Sequence, residues 1–342
     1  MTTTAATATA ATVAAATPRG FSRIIGSGSY LPEKVLTNQD LMRIVDTSDE
    51  WITERTGIKK RHIASDDELT SDLAVKAAQR ALAEAGIAAA DLDLVVVGTV
   101  TGDMQMPSTA AYVMAKLGAT RACGFDISAA CSGFVHGLAV ADKFISLRSA
   151  RHALVIGVEL LSRFLDWTDR STCVIFGDAA GAQVLAYTDD PAHSVLSTHL
   201  FADGTRADIL TIPGSGSRNP VREGYDFKKA FIYMEGREVF KVAVRNIVDA
   251  SEVALRHNGL TAADVDWVVP HQANLRIVEG VQRRLGIPWE KWCLNIDRTG
   301  NTSSASIPVA FDEYKDRFKP GDVLLLSALG AGLNWGSALV RW

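Results

Sequence analysis

Cysteine is sparse in this chain. Only four occur in 342 residues, Cys123, Cys131, Cys173 and Cys293, and none stands in metal-ligand spacing such as C-x-x-C. A reducing, cytoplasmic setting suits this usage better than a disulfide scaffold. Excess charge is missing as well: 35 basic residues against 39 acidic ones leave a net −4, which implies no nucleic-acid partner in bulk. No run approaches the roughly eighteen apolar residues of a membrane-crossing helix, so no membrane association is expected. Residues 1–20, MTTTAATATAATVAAATPRG, lack the basic start and Leu-rich stretch of a secretory signal and read as a disordered Ala/Thr tail.

What remains is an ordinary soluble composition, 47% hydrophobic and 22% charged, long enough for two core-forming units. The chain is organised around Cys123–Ser146. There a short apolar run passes through Ser128-Ala129-Ala130 to Cys131 and into a helix with few polar positions. A helix apolar on nearly every face belongs in the interior. Unpaired N–H groups at its start favour thiolate over thiol, which makes Cys131 a candidate nucleophile. The alternative, a small buried hydrophobe, is the commoner fate of a free cysteine.

Taken in order, Phe21-Ser-Arg-Ile-Ile-Gly reads as a strand ended by a turn at Gly26–Gly28. Thr37 or Asn38 caps a short helix, and Thr70 or Ser71 caps a longer one that Gly86 stops. Leu92–Gly98 and Ala153–Val158 read as buried strands. The pattern then recurs. Asp264-Val-Asp-Trp-Val-Val echoes Asp91-Leu-Asp-Leu-Val-Val, Cys293-Leu-Asn-Ile-Asp echoes Cys123-Gly-Phe-Asp-Ile, and Val323–Ser327 echoes Leu154–Val158. A duplication follows, with two α/β halves at 21–195 and 196–342. It sets the loop Asp297-Arg-Thr-Gly-Asn301 opposite the Cys131 loop, and it puts His271 at the carboxyl end of a strand, where α/β sheets place ligand-binding groups.

Cys131 in GFDISAACSG, His271 in VPHQANLRI and Asn301 in DRTGNTSSASIP resemble the 3-oxoacyl-[acyl-carrier-protein] synthase III family of the thiolase superfamily. VDTSDEWITERTGI, FGDAAGA, EVFKVAV and GLNWGSALVRW match in order, so the resemblance runs from about Ile24 to Trp342. It implies a thiolase-like α/β fold of two pseudo-symmetric mixed sheets in five layers, α-β-α-β-α. It also implies an initiating condensing enzyme of type II fatty-acid synthesis. A short acyl-CoA would acylate Cys131. Malonyl-ACP would then lose CO2, with His271 and Asn301 as donors to the developing negative charge, and the acyl group would be captured as 3-oxoacyl-ACP. The amides of Cys131 and Ala331 form the implied oxyanion hole. No metal or organic cofactor is implied, because decarboxylation supplies the carbanion.

Further sites follow from the same resemblance. Trp51 and Arg170 match the pair that sandwiches the CoA adenine, and Thr47, Arg55 and Asn274 fall at other CoA positions. Gln272, Ala273, Asn274, Leu275 and Arg276, with Arg283 and Arg284, match the carrier-binding segment. Lys241 and Arg245, four apart on another helix, are candidates to join them. Met106 and Leu329 match acyl-pocket positions, Met106 across an implied homodimer. Both are aliphatic where an aromatic is common, so a starter longer or more branched than acetyl is expected. Asp178 reads as a turn-ordering residue, His136 as a satisfied core group, and the remaining cysteines as packing. Two other readings stay open: a secondary-pathway condensing enzyme or acyltransferase with the same Cys-His-Asn set, and a non-catalytic acyl-CoA-binding protein.

Overall fold

A computed structural model describes residues 20–342, so the Ala/Thr tail expected at 1–20 lies outside the described residues except for Gly20. Five strands form the first sheet, in the order Phe21–Tyr30, Ala179–Thr188, His152–Glu159, Leu94–Gly98, Cys123–Ile127. The first two junctions are antiparallel and the last two parallel. The second sheet runs Ser194–Ala202, Asn334–Arg341, Val323–Gly330, Trp267–Pro270 with the same sequence of senses. Its fifth member is reduced to a single parallel bridge between Val268 and Trp292. The two sheets therefore share one topology.

Side-chain alternation divides each strand between two faces. Inward residues such as Leu94, Val96, Val155, Leu324 and Leu326 meet the helices Gly133–Ser146 and Ser306–Tyr314 in a core between the sheets. Outward residues Val95, Val97, Leu154 and Ile156 are covered by Thr70–Ala85 and its neighbour Thr109–Leu117. Val268, Leu325 and Leu339 are covered by Gly236–His257 and Leu275–Leu285. The result is the five-layer α-β-α-β-α arrangement.

Two local expectations change. The strand Phe21–Tyr30 continues through Gly26 and Gly28, with a shift in its pairing between Ile24 and Gly26. A Cβ at Gly26 would lie 2.3 Å from the Ala81 carbonyl oxygen, and one at Gly28 2.5 Å from that of Ala77. These glycines admit the backbone of Thr70–Ala85 rather than make a turn. That helix is capped at Leu69, whose N–H donates to Asp72 at 2.9 Å, so Thr70 and Ser71 are not the caps. The Thr70 hydroxyl donates to the Thr101 carbonyl and the Ser71 hydroxyl to Asp103 instead. Thr37 caps Asn38–Leu41, and Gly86 ends Thr70–Ala85 in the left-handed conformation.

Candidate active site

Cys131 is the middle residue of a tight turn, Ala130–Ser132, that leads into the central helix Gly133–Ser146. The same device recurs at Ser303–Ala305, before Ser306–Tyr314. Each turn opens on a non-glycine residue in the left-handed region, Ala130 at φ 45° and Ser303 at φ 49°. The strained residues set the register between the halves, so the counterpart of Cys131 is Ser304; Asn301 lies three residues upstream. The two helix starts meet over glycines. Ser304 Oγ donates to the Gly98 carbonyl at 2.6 Å, and a Cβ on Gly157 would sit 2.2 Å from the Ser304 carbonyl oxygen.

The strand Val323–Gly330 ends against the Cys131 turn, where a Cβ on Gly330 would lie 2.6 Å from the Cys131 nitrogen. Ala331 follows with negative φ, so its Cβ costs nothing. Cys131, Ala331 and Ser303 line a cavity of about 300 Å³, whose other walls include Val100, Leu161, Phe176, Leu210, Ile212 and Ile232. Sequence reasoning missed this apolar lining. It comes from loops and strand ends far apart in the chain, and no local pattern marks it.

Burial pushes the Cys131 thiol up to about 12, with the Ser303 hydroxyl pulling the other way and the Glu159 carboxylate adding to the rise. Burial therefore works against the thiolate that the helix start favours. His271 hangs from the end of Trp267–Pro270, its N–H donating to the Ser327 carbonyl at 2.8 Å. It is 3% exposed, and among the described residues neither ring nitrogen has a partner. Burial pulls its pKa down to about 3, so the imidazole is neutral and carries one N–H donor. Asn301 is anchored by backbone bonds to Ile175 and Gly177, and its Oδ1 accepts from the Ser303 N–H at 2.8 Å. That bond fixes the amide orientation and leaves Nδ2 free to donate.

Glu159 was also missed. It ends the strand His152–Glu159, is fully buried, and accepts from Thr101 Oγ1 at 2.5 Å, Thr99 Oγ1 at 3.2 Å, the Val100 N–H and Ser303 Oγ at 3.2 Å. Its only sequence signal is a lone carboxylate closing an apolar strand. Among the described residues no group of three or more His, Cys, Asp or Glu side chains is placed to hold a metal ion.

At the surface, Arg55 and Arg170 each lie 4.8 Å from the centre of the Trp51 ring. Ser48 caps the helix Asp49–Thr56 that carries Trp51 and Arg55, and Arg170 reaches the Asp46 carbonyl at 3.0 Å. Asn274 Nδ2 donates to the Arg55 carbonyl at 3.0 Å, and Arg276 Nε to that of Glu54 at 3.1 Å. The structure thus joins the adenine and carrier candidates into one rim. Thr47 lies half-buried, with its hydroxyl unpartnered. Arg276, Arg283 and Arg284 are exposed on Leu275–Leu285, Ala273 and Leu275 only partly so.

Other candidates move. Gln272 is wholly buried and latches the loop before Asn301, its Oε1 accepting from the Asn295 and Ile296 N–H groups. It presents nothing to a carrier. Lys241 is paired with Glu238 at 2.6 Å and Arg245 with Asp249 at 3.6 Å, in a separate groove beside Phe201 and Trp335. Leu329 points outward among Val244, Ile247 and Leu339 rather than into the cavity, because strand alternation aims Ala328 inward and its neighbour out. Met106 is 83% exposed and is not part of its own chain's cavity. Asp178 orders its surroundings, accepting from the Ala64 N–H and from Ser162. His136 Nδ1 meets the Ser132 carbonyl oxygen at 3.0 Å. Cys123 is exposed, on a sheet edge rather than in packing.

Comparison with known proteins gives a consistent outcome. The family model for 3-oxoacyl-[acyl-carrier-protein (ACP)] synthase III matches residues 125–204, and its C-terminal model matches residues 255–342. A beta-ketoacyl-[acyl-carrier-protein] synthase III from Rhodospirillum centenum is 52% identical over 326 residues, covering 94% of this chain and 99% of that protein. The crystal structure of 3-oxoacyl-[acyl-carrier-protein] synthase III from Aquifex aeolicus VF5 superposes with a TM-score of 0.87 at 46% identity, over 94% of this chain and all of that one. The priming beta-ketosynthase of the R1128 polyketide pathway superposes at 0.88 with 38% identity, over 94% and 96% of the two chains.

Proposed function

The chain belongs to the 3-oxoacyl-[acyl-carrier-protein] synthase III family and is an initiating condensing enzyme of fatty-acid synthesis, and from that premise we propose how its residues divide the work. Cys131 takes an acyl group from acyl-CoA as a thioester. His271 and Asn301 then stabilise the charge that develops on the malonyl thioester oxygen as CO2 leaves. The carbanion equivalent attacks the acyl-Cys131 carbonyl and releases 3-oxoacyl-ACP. The observation that carries this reading is the unmet hydrogen bonding of the buried His271 and Asn301 side chains. A neutral imidazole with both nitrogens unpartnered and an amide with its Nδ2 free are groups waiting for a ligand oxygen. The amides of Cys131 and Ala331 are the oxyanion donors.

The rim supports the binding assignments. An adenine entering at Trp51 exchanges a guanidinium contact for a stacked one, with Arg170 or Arg55 closing over it. Thr47 and Asn274 complete the CoA path. The acidic carrier docks on Arg276, Arg283 and Arg284, which stand exposed beside that entrance. The apolar cavity walls suit a starter chain longer or more branched than acetyl. No cofactor takes part. A homodimer forms along the open edge of Cys123–Ile127, a half-exposed strand paired on one side only, and carries Met106 to the partner's pocket.

Intact-mass analysis after mixing the protein with a panel of acyl-CoAs, followed by malonyl-ACP, tests the scheme. An adduct on Cys131 that is consumed as CO2 and 3-oxoacyl-ACP appear supports it, and the C4–C8 donors should label at least as fast as acetyl-CoA. An adduct that malonyl-ACP leaves intact but that moves to another acceptor favours the secondary-pathway reading, to which the likeness to a polyketide priming synthase points. No adduct with any donor returns the protein to simple acyl-CoA binding.

A further inference from the structure

The resting thiol of Cys131 has to lose a proton before it can attack, and the scheme above names no group to take it. His271 is too weak a base to serve, since burial pulls its pKa down to about 3. Among the described residues the carboxylate that bears on the sulfur is Glu159. It is fully buried, and among the described residues it pairs with no lysine or arginine. Buried carboxylates without a counter-ion are costly, and this one is held solely by hydroxyls and one amide. From Thr99–Thr101 it receives two hydroxyls and the Val100 N–H, and from Ser303–Ala305 the Ser303 hydroxyl. Its charge also bears on the Cys131 thiol in Ala130–Ser132, which it makes harder to ionise. Asp178, at the head of the neighbouring strand, is turned to Ala64 and Ser162 instead.

Ser303 joins the two acids. Its Oγ lies 3.2 Å from Glu159 Oε1, it shares the cavity wall with the Cys131 thiol, and its hydroxyl favours the ionised sulfur. Its left-handed backbone is held in place by the bond from its N–H to Asn301. A strained non-glycine residue at such a junction persists only where the surroundings fix it.

We propose that Glu159 is a positioning residue that takes and returns the Cys131 proton through the hydroxyl of Ser303. In the resting state Cys131 is a thiol, Glu159 is a carboxylate, and Ser303 donates to Glu159. On acylation the S–H proton passes to the Ser303 oxygen as the Ser303 proton passes to Oε1. This leaves a thiolate, a neutral carboxylic acid and an unchanged hydroxyl, which now donates to the sulfur. The sulfur electron pair forms the bond to the acyl carbon, the bond from that carbon to CoA sulfur breaks, and CoA thiolate takes a proton from solvent. When the condensation expels Cys131 as thiolate, Glu159 returns the proton by the same route. Two buried acids that share one proton avoid holding two negative charges together. Burial lifts Glu159 to about 7, where it can both accept and release a proton.

The inference rests on Cys131 being the nucleophile, and the experiment separates the two claims. Single-turnover acylation by the best acyl-CoA donor is followed by intact mass for the wild type, Glu159→Gln, Glu159→Asp and Ser303→Ala. General acid–base assistance of this kind is worth about a hundredfold or more. Glu159→Gln and Ser303→Ala should therefore acylate about a hundredfold more slowly. Glu159→Asp should recover part of the rate, and release of CO2 from malonyl-ACP by Ser303→Ala should fall far less than acylation. The wild-type acylation rate should also rise with pH through a limb near neutrality that Glu159→Gln lacks. If Glu159→Gln acylates as fast as or faster than wild type, the carboxylate is only a repelling neighbour and the relay is overturned. If Ser303→Ala, which keeps Glu159 in place, acylates normally, the relay is overturned even where Glu159→Gln fails to fold. Label on wild-type Cys131 with unslowed variants removes the relay alone; no label on the wild type removes the relay and the nucleophile together.

Discussion

At the scale of single residues, His271 shows how a site is maintained against the fold's own interest. Two unpartnered ring nitrogens in the interior are each costly, and in the proposed scheme a substrate oxygen would relieve one of them. An imidazole held near 3 in the folded protein and near its ordinary value of about 6.5 in the unfolded chain makes the unfolded chain the better proton binder. Stability should therefore fall as pH drops from about 6.5 toward 3, by about 1.4 kcal/mol per pH unit from this group. His271→Leu should flatten that limb and raise the melting temperature at pH 5 while abolishing release of CO2 from malonyl-ACP. Thermal melts between pH 4 and 8 decide it, and an unchanged slope would mean that the imidazole is hydrated and partnered in solution. Cys131 and Asn301 were recognisable in the sequence through their neighbouring motifs. Glu159 and Ser303 were not, since their link spans 144 positions and exists only where two strand ends meet.

At the scale of elements, the two central helices deliver the chemistry only because their starts touch. Gly98, Gly133 and Gly157 clear the space in which the Ser303–Ala305 turn sits against the Cys131 helix. Gly157→Ala would press a methyl group to 2.2 Å from the Ser304 carbonyl oxygen, a backbone atom that cannot swing aside. The expected loss is about 3 kcal/mol or more in urea unfolding, with acylation impaired in the fraction that folds. A loss within about 0.5 kcal/mol would show that the turns can separate. The same close approach explains the misread of Gly26 and Gly28. In sequence a glycine pair resembles a turn, whereas here each marks a helix backbone lying on a strand.

At the scale of the whole molecule, the first sheet ends on Cys123–Ile127, whose outer edge is open, and Cys123, Met104 and Met106 are exposed. An open, half-apolar edge beside a site is a pairing surface. Sedimentation at micromolar concentration should give a dimer. A monomer with full condensing activity would leave Met106 outside the pocket for good. The second sheet differs at the corresponding edge, where only the Val268–Trp292 bridge remains and Trp292 is buried. One half is thereby closed by its own chain and the other left open, although both follow the same strand order.

The sequence by itself determined the fold class and the repeat and singled out Cys131, His271 and Asn301 as candidates, because apolar periodicity and short contiguous motifs are local properties. It placed Trp51, Arg55 and Arg170 in one site, and the structure sets both guanidinium groups against one ring. Only the tertiary structure decided that Gln272 is a buried latch, that Leu329 faces outward, that Cys131 corresponds to Ser304, and that the thiol rests protonated. Burial and proximity between distant segments settle such matters. A thiol at a helix start reads as activated in one dimension, whereas in three its burial pushes its pKa up.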